Sequence, residues 1–168
     1  MDLCAGSGVV GLEYFLNHPH MNQIKRVAFC DVQEECCEVI KKNIDNLEML
    51  SPLFRAVEKN IYPLPMSQLK TDPSLQEQFN ILVCNPPFYH REKGKNPLNK
   101  NRAISHFYYY DSRDELYRVI YHLLQQQGEA FILGRTPVQK NEIPKGFKII
   151  NEIKIDSQTM MTQLYKGQ

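Results

Sequence analysis

A glycine-rich turn placed directly before a helical pattern is the feature that most narrows the fold open to this 168-residue chain. Asp2-Leu3-Cys4-Ala5-Gly6-Ser7-Gly8-Val9-Val10-Gly11 contains G-x-G-x-x-G, and the apolar positions of residues 9–16 then recur at helical spacing. Glycines in such a turn adopt backbone angles closed to other residues and let a ligand approach the main chain and the helix N-terminus. An apolar run at residues 25–30 follows and ends in Asp31, 20 residues after Gly11. An acid at that position accepts hydrogen bonds from ribose hydroxyls. It equally suits an N-cap for the helix that comes next, so the turn and the acid alone fit a tight turn and a cap as well as a nucleoside site.

Further along, Val-, Ile- and Phe-rich runs alternate with helical patterns, the rhythm of an α/β fold with a mainly parallel sheet. Strands are expected at residues 25–30, 52–57, 79–84, 129–134, 147–155 and 159–166, the last two as an antiparallel hairpin. Helices are expected at residues 9–16, 34–47 and 111–127, the third ended by Gly128 and buried along Leu116, Val119, Ile120, Leu123 and Leu124. Residues 61–73 hold three prolines and read as a loop with a short helix. No repeat or internal boundary interrupts the chain, so one domain over residues 1–168 is expected. With 42% hydrophobic and 23% charged residues it can bury roughly 70% of its unfolded surface without a disulfide or a metal. Its five cysteines, Cys4, Cys30, Cys36, Cys37 and Cys84, form neither an even framework nor a CxxC pair. No apolar run is long enough to span a bilayer, and no basic segment opens the chain as in a signal peptide, so a cytoplasmic protein with no membrane partner is expected. A net charge of +1 excludes a surface that grips nucleic acid all round, while leaving room for a local basic patch.

Dinucleotides and S-adenosylmethionine both fit a glycine turn followed by an acid. Asp2, four residues before Gly6, repels a pyrophosphate but serves the ammonium of a methionine moiety. That favours S-adenosylmethionine and leaves NAD as the minority reading. Residues 79–84 then run as a buried strand straight into Asn85-Pro86-Pro87-Phe88, at the carboxyl edge where open α/β sheets bind ligands. Methylating an amide or exocyclic amine requires the nitrogen lone pair, normally delocalised, to point at the methyl group. The Asn85 side-chain oxygen and the Pro86 carbonyl can accept both N–H bonds and hold that orientation. Pro86 and Pro87 fix the backbone, and Phe88 offers a ring on which a planar substrate stacks.

DLCAGSGVVGL, Asp31 after the second strand, and FNILVCNPPF together resemble the class I S-adenosylmethionine-dependent methyltransferases of the amino-methylating, NPPY/F-bearing branch. The resemblance covers most of the chain. It implies a Rossmann-like fold in which Asp2, Gly6 and Gly8 contact the methionine part of the cofactor and Asp31 binds its ribose. It also implies that Asn85, Pro86, Pro87 and Phe88 bind and orient the target nitrogen, Asn85 lying against the cofactor as well. In the family an acid after the third strand often contacts adenine; here Asn60 is expected at that place. Members normally carry a helix and most of a first strand before the glycine segment, whereas this chain starts at Met1-Asp2, so a truncated first strand and a missing upstream helix are expected.

The segment after Phe88 holds Tyr89, His90, Arg91, Lys93, Lys95, Lys100 and Arg102 against one acid, Glu92. Tyr89, Arg91, Lys93 and Lys95 are the candidate substrate residues, able to grip phosphates while stacking and base-edge hydrogen bonds supply choice. A solvated charge run is the plainer alternative. Within the resembled branch, the phenylalanine form of the motif occurs in enzymes that methylate RNA bases and the tyrosine form in those that methylate glutamine of release factors. The expected acceptor is therefore a nucleic-acid base, RNA before DNA, with a protein glutamine as runner-up and a non-catalytic binding subunit as a further alternative. No metal is expected, and His90, His106, His18, His20 and His122 read as structural or surface residues.

Overall fold

The computed structural model describes residues 1–17, 23, 24, 26–31, 33–50, 58–62, 69, 73–88 and 113–167. It divides into two compact units, Met1–Pro65 and Met66–Gln168.

In the first unit β1 (Asp2–Leu3) leads through the glycine turn into α1 (Val9–Asn17), followed by β2 (Arg26–Cys30), α2 (Glu34–Leu50) and β3 (Glu58–Tyr62). All three strands are parallel, with Asp2 level with Phe29, and Ala28 level with Asn60. Parallel strands place their carboxyl ends at one edge, which puts the turn after β1 beside Asp31 after β2. Cys37, Ile40 and Ile44 fall on one stripe of α2 and are buried, Ile40 and Ile44 joining a core with Ala5, Leu12 and Phe29. The strand expected at residues 52–57 lies outside the described residues. The observed strand comes directly after them, so Asn60 sits inside β3 rather than beyond its end.

The second unit opens with a 3-10 turn (Pro73–Leu75) and continues as β4 (Phe79–Cys84), α3 (Arg113–Leu123), β5 (Leu124–Gly134), β6 (Phe147–Lys154) and β7 (Met160–Lys166). β4 and β5 are parallel; β7 runs antiparallel to both β5 and β6, as expected for the hairpin. The expected stripe of α3, Leu116, Val119, Ile120, Leu123 and Leu124, is buried throughout.

Its end differs from expectation. The helix stops at Leu123, four residues before Gln127, and Leu124 already pairs with Phe79 of β4. Three donors account for the stop. The amides of Glu77 and Gln78 donate to the carbonyls of His122 and Leu123, at 2.9 and 3.1 Å. The buried Lys166 ammonium donates to the carbonyls of Tyr121 and Leu124, at 2.8 and 2.7 Å. These bonds take up carbonyls that a continuing helix would have used. Gln127 then adopts φ +65° within an irregular stretch of β5. Gly128 is not the helix stop. A Cβ there would lie 3.0 Å from the Asn80 carbonyl oxygen, so glycine is needed for the approach of the β5 backbone to β4.

Among the described residues, no helix is long and apolar enough to cross a membrane.

Candidate functional site

In the first unit the site is assembled from the ends of β1 and β2. Cys4, Gly6 and Gly8 take left-handed φ values of 59°, 56° and 79°, reversing the chain within a few residues. The turn is closed by Gly8 N–H donating to the Ala5 carbonyl at 2.7 Å and tied to β2 by Ala5 N–H donating to the Cys30 carbonyl at 3.0 Å. The Asn43 amide of α2 donates to the Ser7 carbonyl at 2.9 Å, fixing the outer limb of the turn.

Two buried carboxylates flank it. One oxygen of Asp31 accepts the Gly6 amide at 2.8 Å and the other accepts the Gln33 amide at 2.9 Å. Asp31 therefore does serve the start of α2, and it also locks the glycine turn to the end of β2. Asp2, on β1 itself, accepts the Gly11 amide at 2.8 Å, satisfying one of the N–H groups that the first turn of α1 leaves without an intrahelical partner. Burial raises the Asp2 carboxyl to about 6; the Gly11 bond opposes that rise and the charge of Asp31 adds to it.

The three glycines do different work: a Cβ on Gly8 would face the core, 3.2 Å from Ile40 and 3.4 Å from the Phe29 ring. A Cβ on Gly6 would meet nothing within 4 Å, whereas one on Gly11 would lie 2.8 Å from Asp2 Cβ and 2.9 Å from a Phe29 ring carbon. Gly6 thus faces open space, and Gly11 is glycine because α1 packs against β1 and β2 there. Asp2, Gly6, Gly8 and Asp31 are brought together as expected, while Asn60, level with Ala28, lies three positions short of Asp31 in the parallel register.

In the second unit β4 ends at Cys84 and the chain passes into Asn85 (exposed), Pro86 (buried), and Pro87 and Phe88 (both half-buried). The parallel register, Cys84 level with Ile132, brings the chain after β5 to the same edge. A small cavity behind Pro86 is lined by Arg113, Tyr117, Gly134, Thr136 and Thr162 among others. Arg113 secures its wall: its guanidinium pairs with Glu142, donates to Thr136 Oγ1 at 2.7 Å and donates to the Pro137 carbonyl at 3.3 Å. Arg135, just beyond β5, holds its guanidinium carbon 5.0 Å from the centre of the Phe88 ring.

Neither arginine has a local sequence signal, because each is defined by residues that only the parallel pairing or the hairpin brings near. Asn43 was likewise invisible, as one polar position among several on α2. Tyr89, Arg91, Lys93 and Lys95 lie outside the described residues.

A family model described as Conserved hypothetical protein 95 matches residues 1–106. No curated protein sequence matches the chain significantly. Solved structures with a similar fold include the candidate methylase HI0767 of Haemophilus influenzae, with TM-score 0.65 and 17% identity over 99% of this chain and 86% of that one. A SAM-dependent methyltransferase of Aquifex aeolicus aligns with TM-score 0.61 and 9% identity over 98% of this chain and 80% of its own. The rRNA methyltransferase AviRa of Streptomyces viridochromogenes aligns with TM-score 0.57 and 13% identity over 98% and 76%. At these identities the likeness shows the fold: a Rossmann-like α/β fold of the class I methyltransferase kind, mainly parallel with a C-terminal antiparallel hairpin.

Proposed function

The chain belongs to the Conserved hypothetical protein 95 family, and from that premise we propose that it is an S-adenosylmethionine-dependent N-methyltransferase acting on an exocyclic amino group of a nucleic-acid base, in RNA before DNA. The observation that carries this reading is the pair of buried carboxylates, Asp2 and Asp31, pinned by amides of one glycine turn whose Gly6 faces open space.

Those residues fit the cofactor. A carboxylate has about four acceptor positions, and the two amide bonds to Asp31 leave capacity for ribose hydroxyls. Asp2, a buried acid whose proton is held up to about 6, suits a cationic ammonium that restores its charge. Gly6 keeps the turn free of a side chain where a ligand meets it, and Gly8 supplies the left-handed angle that holds the turn against Ile40 and Phe29.

When bound, S-adenosylmethionine supplies an electrophilic methyl group on a sulfonium sulfur. The chain's own task is to present the acceptor. The Asn85 side-chain oxygen and the Pro86 carbonyl take the two N–H groups of the amine, turning its lone pair out of conjugation. Pro86 and Pro87 hold that backbone, and Phe88 stacks the base. The methylated nitrogen is a strong acid and loses its extra proton to water, so no side chain need act as a strong base. Tyr89, Arg91, Lys93 and Lys95 are assigned to the substrate backbone. The RNA preference draws on the net cationic segment after Phe88 and on the similar fold of AviRa, an rRNA methyltransferase.

The test is transfer of a labelled methyl group from S-adenosylmethionine into separate pools of RNA, DNA and protein, followed by digestion to the modified unit, with Asn85→Ala as control. Label in a nucleoside amine supports the reading. Label in protein glutamine replaces its acceptor. Cofactor binding with no labelled pool replaces it with a binding subunit.

A further inference from the structure

Pro86 is buried and, being proline, brings no N–H to a neighbouring strand, so its place after β4 is set by what packs around it. Two stretches far apart in the chain form that surround: the start of α3, through Arg113 and Tyr117, and the chain leaving β5, through Gly134 and Thr136. Their separation sets the width of the cavity behind Pro86.

The Arg113 side chain spans that gap. At the first residue of α3, its guanidinium donates through Nε to one oxygen of Glu142 at 3.1 Å and through Nη2 to the other, a two-pronged match of fork and carboxylate. It also donates to Thr136 Oγ1 and to the Pro137 carbonyl. Glu142 in turn accepts the Gln139 amide at 2.9 Å, and its own amide donates to the Gln139 carbonyl, closing residues 139–142 on themselves. Glu152 of β6 accepts the Val138 amide at 3.0 Å. The loop that Arg113 grips is thus held both from within and from β6.

With 17% and 24% of their side chains exposed, Arg113 and Glu142 sit largely out of solvent, where a fork keeps one geometry that a screened surface pair would not. Leu116, Val119, Ile120 and Leu123 already anchor α3 by burial, which carries no direction. The bonds of Arg113 are directional, so they add position rather than attachment.

Resting on the N-methyltransferase reading above, we infer that Arg113, held by Glu142, is a positioning residue for methyl transfer: it fixes the wall against which Pro86 packs, and thereby where the Pro86 carbonyl and the Asn85 side chain meet the acceptor amine. It acts through Pro86 and not on the cofactor.

The test compares wild type with Arg113→Gln, Arg113→Lys, Glu142→Gln, the Arg113→Gln/Glu142→Gln double variant and Lys166→Met. Single-turnover transfer of labelled methyl from S-adenosylmethionine, to whichever of the RNA, DNA and protein pools wild type labels, is read well below every melting temperature, alongside calorimetric affinity for S-adenosylhomocysteine. Arg113→Gln and Glu142→Gln are each expected to lose roughly tenfold in rate and less than about twofold in affinity. The double variant is no slower than the slower single one, because both break one brace. Arg113→Lys keeps the charge without the fork and recovers only part of the rate. Lys166→Met strands carbonyls at the other end of α3, so it loses stability and keeps the wild-type rate. Wild-type rates in Arg113→Gln and Glu142→Gln overturn the role of Arg113 and spare the parent reading, as does a loss of affinity equal to the loss of rate. A rate loss in Lys166→Met matching that in Arg113→Gln overturns it too, since stability then explains both. Glu142→Gln keeps the side-chain volume and carries the test where Arg113→Gln fails to fold. No methyl transfer by wild type into any pool overturns both readings.

Discussion

The carboxylate of Asp2 accepts the amide of Gly11 at 2.8 Å, and the two residues stand so close that no methyl group fits between them. A Cβ on Gly11 would come within 2.9 Å of the same carboxylate oxygen and of the Phe29 ring. Gly11→Ala must therefore push α1 away from β1 and β2, at an expected cost of about 1–3 kcal/mol. Urea unfolding measures it, and wild-type stability in the variant would show that the helix shifts freely.

Gly6→Ala separates packing from ligand access. Its Cβ meets nothing, so the folded chain bears only the left-handed backbone angle, about 1–2 kcal/mol. The added methyl group occupies the open space assigned to the cofactor, and affinity for S-adenosylhomocysteine is expected to fall at least roughly tenfold. Calorimetric titration of a variant that still unfolds cooperatively reads this directly.

The raised Asp2 carboxyl has a consequence for pH. The folded chain holds the Asp2 proton up to about 6, against 3.8 for the ordinary carboxyl. The stability that Asp2 contributes is thus full below about pH 4 and is lost as pH rises through about 6. Ionisation of this buried group costs roughly 3 kcal/mol by pH 7. Asp2→Asn keeps an oxygen for the Gly11 amide and cannot ionise. The variant is expected to melt above wild type at pH 7, with the difference vanishing towards pH 4, while its affinity for S-adenosylmethionine falls. Melting curves from pH 4 to 8 check the first expectation, and a variant less stable than wild type at pH 7 refutes it.

What was legible in the sequence follows from the range of the forces involved. Gly6 and Gly8 announce themselves because a left-handed turn needs them, and Asp31 because an acid after a strand serves either a cap or a ligand; here it ties turn to strand. The burial of Leu116, Val119, Ile120, Leu123 and Leu124 was legible because periodicity is local. The end of α3 was not. Gln125, Gln126 and Gln127 are good helix formers, and nothing near them says stop. The helix ends because Glu77, Gln78 and Lys166 arrive from distant parts of the chain to take its last carbonyls. Asn60 was placed beyond a strand for the same reason, since pairing with β2, not local sequence, sets where β3 lies. Arg135 next to Phe88 is likewise a product of parallel pairing.

Lys166 is 2% exposed, and its ammonium donates to Glu77 at 3.0 Å as well as to the two helix-end carbonyls. It also lies 4.2 Å from the centre of the Tyr121 ring. A buried ammonium is tolerated only when so surrounded. Lys166→Met fills similar space but strands two carbonyls, and an expected loss of about 2–4 kcal/mol follows. A melting temperature within a degree or so of wild type would mean that water replaces the ammonium without cost.

Asn85 separates binding from chemistry. It is exposed at the end of β4, followed by the buried Pro86, so its side chain can be truncated without opening the core. In the proposed role it accepts one N–H of the acceptor amine, and the Pro86 carbonyl accepts the other. With Asn85→Ala the amine keeps one partner and rotates, so its lone pair returns to conjugation for most of the bound lifetime. Loss of orientation of this kind costs about a hundredfold in rate. In the same proposal, affinity for S-adenosylmethionine rests on Asp2, Asp31 and the glycine turn and is expected to change only a few-fold, so the loss is expected in kcat rather than in cofactor binding. Single-turnover methyl transfer and calorimetric titration on the same preparation give both values. Equal losses in the two would move Asn85 from acceptor orientation to cofactor binding and leave the Pro86 carbonyl as the remaining candidate for presenting the amine.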